Sequence, residues 1–299
     1  MNDLQRYLVE EAVEDYEDGR LTRREALRVI AGVAGAALAA QLVDARAQGA
    51  KAPGPKPAPS SPPQVPPNDA AIVAGVAEFP GAGARLDGYL ARPAQAGQFP
   101  IVLVCHENRG LTRHIEDVAR RLAKAGYVAL AVDLLSREGG TDKHDFDAIP
   151  GMLGKVPPAR HVQDFRSGLA FARSQPAARG DRVGMVGFCF GGAVTWRVAA
   201  AVPELRAAVP FYGVPVSDAE VPGIGAAVLA IYAGRDDRIN QNIPAIEAAM
   251  QKHGKTFRKI VYPNVEHAFH NDSGARYNAD AAKAAWGEAL AWFGKYLGA

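Results

Sequence analysis

A cysteine, a pair of aspartates and a histidine, in that chain order, are the residues of this sequence that could combine in nucleophilic acyl transfer. The cysteine lies in Gly187-Phe188-Cys189-Phe190-Gly191-Gly192. A thiol at such a position attacks a carbonyl carbon once a base takes its proton and a third group orients the base. The aspartates stand in Ala233-Gly234-Arg235-Asp236-Asp237-Arg238-Ile239, and His267 follows Tyr262-Pro263-Asn264-Val265-Glu266. Asp236 is the favoured orienter because Ile239 can anchor its loop in the core; Asp237 offers the same carboxylate one position on.

The local sequence around Cys189 predicts how the thiol is held. Arg182-Val183-Gly184-Met185-Val186 reads as a buried strand, and residues 193–201 read as a helix. Strand, glycine-flanked turn and helix together make a nucleophile elbow. Gly187 and Gly191 are needed where strand and helix cross too closely for a side chain. The elbow is expected to raise the thiol above the sheet, with the helix N-terminus favouring thiolate. An acyl-transfer site also needs donors for a developing oxyanion. The backbone N–H of Phe190 supplies one and that of Asn108, in His106-Glu107-Asn108-Arg109-Gly110, supplies the second. Glu107, at the end of the strand 100–105, is placed to accept the thiol proton or hold the resting side chain. His106 is expected to line the site. His114, His144, His161 and His253 read as surface or loop residues.

From about residue 70, apolar runs at 71–79, 85–92, 100–105, 127–132, 207–212, 226–232 and 257–262 alternate with helical patterns at 115–125, 158–173, 244–253 and 279–297. The first two runs form an antiparallel pair joined around Gly81-Ala82-Gly83. The rest predict an α/β fold, a mostly parallel sheet with helices on both faces. Sites in such sheets collect at the carboxyl ends of strands, where all the residues above fall. Residues 134–158 are expected to cap the pocket and set selectivity.

The amino-terminal quarter reads differently. Thr22-Arg23-Arg24-Glu25-Ala26-Leu27 precedes a mild apolar stretch at 29–43, and Ala45-Arg46-Ala47 offers small residues for a signal peptidase. This resembles a twin-arginine export signal, so residues 1–47 are assigned as signal peptide, with the export machinery as partner and the periplasm as destination. The stretch is too short and alanine-rich for a comfortable membrane span. Residues 48–69, rich in proline and alanine, read as an extended linker, and 70–299 as the catalytic domain.

Composition narrows the class. A formal net charge of +2, with no basic stripe, argues against nucleic acid. Two cysteines cannot make a disulfide framework, and Cys105 reads as a small core residue; a Cys105–Cys189 disulfide is its rival reading. His267 and His270 have helical spacing, but no further ligand cluster completes a metal site, and no cofactor is implied.

Three motifs resemble the dienelactone hydrolase (carboxymethylenebutenolidase) family: the Glu107 loop, the Cys189 elbow, and Tyr262-Pro263-Asn264-Val265-Glu266-His267-Ala268-Phe269. The resemblance covers about residue 70 to the C-terminus. It implies the α/β-hydrolase fold and a Cys189–Asp236–His267 triad, with Glu107 helping to form the thiolate when substrate binds. It further implies opening of an enol-lactone through a thioester. Asn271 stands where members acting on dienelactone carry an arginine for the substrate carboxylate, which makes lactones or small esters the expected substrates. Arg109, Arg113, Arg137 and Arg160 are the arginines available to replace it, and Arg109 and Asn271 are expected at the substrate. Two further readings remain: a non-catalytic exported binding protein on the same fold, and a thiol redox protein in which Cys105 resolves Cys189.

Overall fold

A computed structural model of the protein describes residues 1–52 and 62–298. Eight strands form one sheet: β1 (Ile72–Gly81), β2 (Ala84–Pro93), β3 (Phe99–Cys105), β4 (Val128–Val132), β5 (Ala178–Phe188), β6 (Ala207–Phe211), β7 (Ala227–Ala233) and β8 (Phe257–Tyr262). Their spatial order is β1-β2-β4-β3-β5-β6-β7-β8. The β1–β2 and β2–β4 pairs are antiparallel, and every pair from β4 to β8 is parallel. The predicted hairpin is present, turning at Gly83 with φ of 71°.

The central strands are apolar runs because both faces of a parallel sheet are covered. Seven helices follow the first strands: α4 (Arg113–Lys124), α5 (Ile149–Lys155), α6 (Pro158–Arg173), α7 (Phe190–Ala201), the short α8 (Asp237–Asn240), α9 (Ile243–Lys252) and α10 (Ala279–Leu297). Two glycines of β5 show the layering. A Cβ on Gly184 would meet Phe293 and Leu297 of α10, whereas one on Gly187 would meet Gly191 and Thr195 of α7. Residues three apart on a strand face opposite ways, so α10 and α7 cover opposite faces of the sheet.

Three more helices precede the sheet: α1 (Asp3–Glu17), α2 (Arg23–Ala34) and α3 (Ala36–Arg46). The first two begin with capping boxes, Asn2 with Gln5 and Thr22 with Glu25. The apolar stretch at 29–43 is divided between α2 and α3 at Gly35. No described helix is long and apolar enough to cross a membrane. Leu4, Tyr7, Leu8, Ile30 and Val33 bury their side chains against the rest of the protein. Each large apolar group so buried stabilises by about 1.5–3 kcal/mol. The amino-terminal quarter is therefore part of the folded body. Residues 53–61 of the expected linker lie outside the described residues. Its far end is tied down: Val65 is buried, its N–H donates to Asp117 at 2.9 Å, and Arg120 donates to its carbonyl at 2.6 Å.

Candidate active site

The site is built at the carboxyl ends of β3, β5, β7 and β8. After Phe188, Cys189 has φ of 59° and ψ of −121° and stands as the N-cap of α7. A left-handed φ on a side-chain-bearing residue costs about 1–3 kcal/mol, retained here by packing on both sides of the elbow. At Gly191 a Cβ would come within 2.4 Å of the His106 carbonyl oxygen, and at Gly187 within 2.2 Å of the Gly191 oxygen. Both glycines are demanded by close approach. The helix starts at Phe190, three residues earlier than its sequence pattern suggests, because the turn itself is the cap.

His267, beyond β8, directs Nδ1 at Asp236, 2.5 Å from Oδ2. Asp236 sits at the tight turn after β7, its other oxygen accepting from the Ile239 N–H at 3.3 Å, with Ile239 fully buried. Burial pushes the Asp236 carboxyl up, but the His267 imidazole, by charge and hydrogen bond, brings it below its ordinary value. Asp237 is exposed and starts α8. Of the two aspartates, Asp236 is the one that meets the histidine.

The thiol stands on the elbow, but it is covered. Cys189 is 2% exposed and His267 1% exposed, because α1 lies across them. The Tyr7 hydroxyl donates to Sγ at 3.1 Å and stands 3.2 Å from His267 Nε2. The thiol donates to Glu11 Oε1 at 3.3 Å, and that oxygen is 3.6 Å from Nε2. Burial first, then the charges of Glu11 and Glu107, push the Cys189 thiol well above its ordinary value. The expected bias toward thiolate is thus reversed in this arrangement. Hydrogen bonds from Tyr7 and the Phe190 amide act the other way and do not offset the burial. Glu11 Oε1, Cys189 Sγ and His267 Nε2 lie within 4.8 Å of one another, an O, S, N set that could ligate a metal ion.

Glu107 is close by but differently engaged. Its Oε2 accepts from the amide of Asn271, and burial raises its carboxyl above the usual range. The thiol is held by Glu11, the role the sequence pattern gave to Glu107. Asn108 uses its side chain to donate to Glu11 Oε2 at 2.8 Å.

A cavity of about 520 Å³ reaches Cys189 from one side, bordered by Glu11, Asn108, Arg109, Phe146, Asn271 and Arg276. Phe146 comes from the predicted cap segment, with the Arg109 guanidinium 4.5 Å from its ring centroid and donating to its carbonyl at 2.9 Å. Among the four arginines considered from sequence, only Arg109 borders this cavity; Arg137 pairs with Asp164, Arg160 with Glu138, and Arg113 is exposed. Arg276 was not anticipated. Nothing in its local sequence marks it, since a loop between β8 and α10 brings it to the rim, where it meets Asp15 of α1 at 3.3 Å.

The remaining histidines sort by burial. His106 faces inward, with Nδ1 2.6 Å from the Glu107 carbonyl and Nε2 accepting from the Leu134 N–H at 3.2 Å, so it shapes the loop and does not border the cavity. His114 and His161 are buried, contrary to the surface expectation. His114 lies on the inner face of α4, 2.7 Å from Asp272, which Arg121 also holds; the pair braces the loop carrying Asn271. His161 of α6 packs edge-on against Phe190 at 5.4 Å. His144 and His253 are half-buried. His270 stacks on Phe188 at 4.9 Å inside the core. Both cysteines are free thiols, with Cys105 enclosed in β3.

A mostly parallel, helix-flanked sheet with a cysteine elbow, a following aspartate and a histidine past the last strand defines an α/β-hydrolase. The sequence model of the dienelactone hydrolase family matches residues 86–297, and the chain belongs to that family. It is 36% identical over 238 residues to a carboxymethylenebutenolidase-type protein of Methylorubrum extorquens, covering 75% of this chain and 82% of the relative. A relative from a Bradyrhizobium species, named for 2-oxo-3-(5-oxofuran-2-ylidene)propanoate lactonase activity, is 32% identical over 221 residues, 70% of this chain and 89% of its own. A solved structure of a dienelactone-hydrolase-type protein from Klebsiella pneumoniae superposes with a TM-score of 0.71 at 34% identity, over 76% of this chain and all of the other. The protein is a hydrolase acting on lactone or ester bonds.

Proposed function

We propose that the protein opens lactones or cleaves small carboxylic esters through a thioester on Cys189, with His267 as base and Asp236 as its orienter. The observation that carries this reading is the 2.5 Å contact of His267 Nδ1 with buried Asp236, which leaves Nε2 on the side of the elbow cysteine, within 4.8 Å of its sulfur. Sγ attacks the carbonyl carbon as its proton passes to Nε2. The tetrahedral oxyanion draws on the backbone amides of Phe190 and Asn108. Collapse breaks the C–O bond, and the imidazolium returns its proton to the leaving oxygen. In a lactone that oxygen stays tethered to the acyl group. A water molecule then gives a proton to Nε2 and attacks the thioester, releasing the carboxylic acid and the thiol.

Arg109 and Arg276 are two of the four cations bordering the cavity, with Arg20 and Lys51, and they support a substrate bearing a carboxylate. Asn271 cannot serve such a group as an arginine would, and its amide is already committed to Glu107. Exposed Arg23 and Arg24, ahead of the apolar stretch at 29–43, support export by the twin-arginine route. Fractionation with N-terminal sequencing tests that, an end near Gln48 being the expected product. The activity is tested by assaying the protein and its Cys189→Ala variant on enol-lactones and p-nitrophenyl acetate. Undiminished turnover by the variant would sink the cysteine mechanism.

A further inference from the structure

The two reacting atoms an acyl substrate must meet, the sulfur of Cys189 and Nε2 of His267, are already touched by α1. A reacting carbonyl carbon has to lie about 3–3.5 Å from the sulfur. Its leaving oxygen has to lie near Nε2 of His267. The Tyr7 hydroxyl holds that place, within 3.2 Å of both atoms. Glu11 accepts the hydrogen bond that the thiol itself donates. The contact is not a loose collision of a charged tail. Asn2 caps the helix, and Leu4, Tyr7 and Leu8 are at most 2% exposed. Rim arginines clamp it: Arg238 donates to Glu14 at 3.0 Å with its guanidinium 4.6 Å from the Tyr7 ring centroid, and Arg276 donates to Asp15 at 3.3 Å. Gln5 donates to the Gly154 carbonyl of the cap helix α5 at 3.0 Å.

We propose that α1 is a built-in stopper of the catalytic centre: residues 3–17 occupy the acyl-binding position, and hydrolysis requires them to leave. The inference rests on the hydrolase reading above for its second half only; that Cys189 is covered stands on geometry. The mode of release suited to this chain is displacement of α1 at the turn before α2, or removal of the whole segment by cleavage after Ala47.

The test keeps the full chain and weakens the clamp away from the reacting atoms. Glu14→Gln with Asp15→Asn removes both rim ion pairs and alters no group in contact with Cys189 or His267. Iodoacetamide labelling of Cys189, followed by peptide mass mapping with Cys105 as internal reference, reads access without requiring turnover; p-nitrophenyl acetate reads hydrolysis. Labelling of Cys189 at least about tenfold faster, with kcat/KM raised by a similar factor, is the expected result. Unchanged labelling overturns the proposal. Faster labelling with lower kcat/KM also overturns it, since α1 would then serve the reaction. Faster labelling with no hydrolysis by either chain upholds the stopper and removes the Cys189 thioester reading instead. Should the double variant not fold, hydrogen exchange of the unaltered chain decides. N-phenylmaleimide on Cys189 should strip protection from residues 3–17 while β5 keeps it, and unaltered protection of α1 refutes the stopper.

Discussion

The hydroxyl of Tyr7 lies 3.1 Å from the sulfur of Cys189, across 182 positions of sequence. That one contact places the first helix of the chain in the geometry of the reaction centre. A single phenolic proton can serve only one of the two neighbours, sulfur or imidazole, so Tyr7 competes with the direct transfer that catalysis needs. The following expectations start from this arrangement.

Replacing Cys189 by alanine should remove turnover to background. Replacing it by serine should leave no more than about 1% of kcat, because a hydroxyl is far less acidic than the thiol for which the site is built. Steady-state rates on p-nitrophenyl acetate, with circular dichroism to verify folding, check both.

Asp236→Asn should keep the fold and lower kcat by about 10²–10⁴. The amide can still hydrogen-bond Nδ1 but permits the wrong tautomer and no longer stabilises the imidazolium. Asp237→Asn, altering an exposed group one position on, should stay within about twofold of the parent. Equal losses in the two variants would remove Asp236 from its place.

The thiol of Cys189 is raised by burial, then by the charges of Glu11 and Glu107. Glu11→Gln deletes one of those charges, so the midpoint of the pH dependence of iodoacetamide labelling should move to lower pH. A shift upward would mean that Glu11 stabilises the thiolate by a route the geometry does not contain.

His161 gives an acid-stability prediction. Burial holds its imidazole down to about 3, against 6.5 for the free side chain, and neither ring nitrogen has a hydrogen-bond partner among the described residues. Between those two values the unfolded chain binds a proton that the folded chain refuses, so stability falls as pH drops from about 6.5 toward 3. The slope reaches about 1.4 kcal/mol per pH unit for this one group. His161→Phe keeps the edge contact with Phe190 and should flatten that part of the curve, as read by urea unfolding at pH 4.5 and pH 7.5.

Arg276 should discriminate by charge. Arg276→Gln should raise KM for a carboxylate-bearing lactone by about tenfold or more while changing KM for neutral p-nitrophenyl acetate little. Parallel increases for both substrates would assign the arginine to holding the fold.

Much of the sheet was legible because buried parallel strands write themselves as apolar runs; β3, β4, β6 and β7 fall almost where the runs do. β5 extends further back than expected, to Ala178, since Arg179, Gly180, Asp181 and Arg182 lie before its register aligns with the apolar part of β3. The order of Cys189, Asp236 and His267 could be read because each ends a strand with its own local signal. Tyr7, Glu11 and Arg276 could not. Their importance exists only through contacts spanning more than 170 positions, and a helix rich in glutamate and aspartate carries no mark of the groove that receives it. The buried histidines were missed for a related reason: His114 and His161 lie on helices whose polar residues turn inward to meet Asp272 or Phe190, a choice made by the tertiary neighbours.

One close approach links two parts of the molecule. A Cβ on Gly32 of α2 would lie 3.0 Å from the Cα of Gly151 in α5, and one on Gly154 would press on Val33. Backbones meshed that tightly slide together or not at all. The amino-terminal helices and α5 are therefore geared to each other, so a motion that carries α2 away must draw α5 with it, and displacing α2 would leave α5 without one of its bearings.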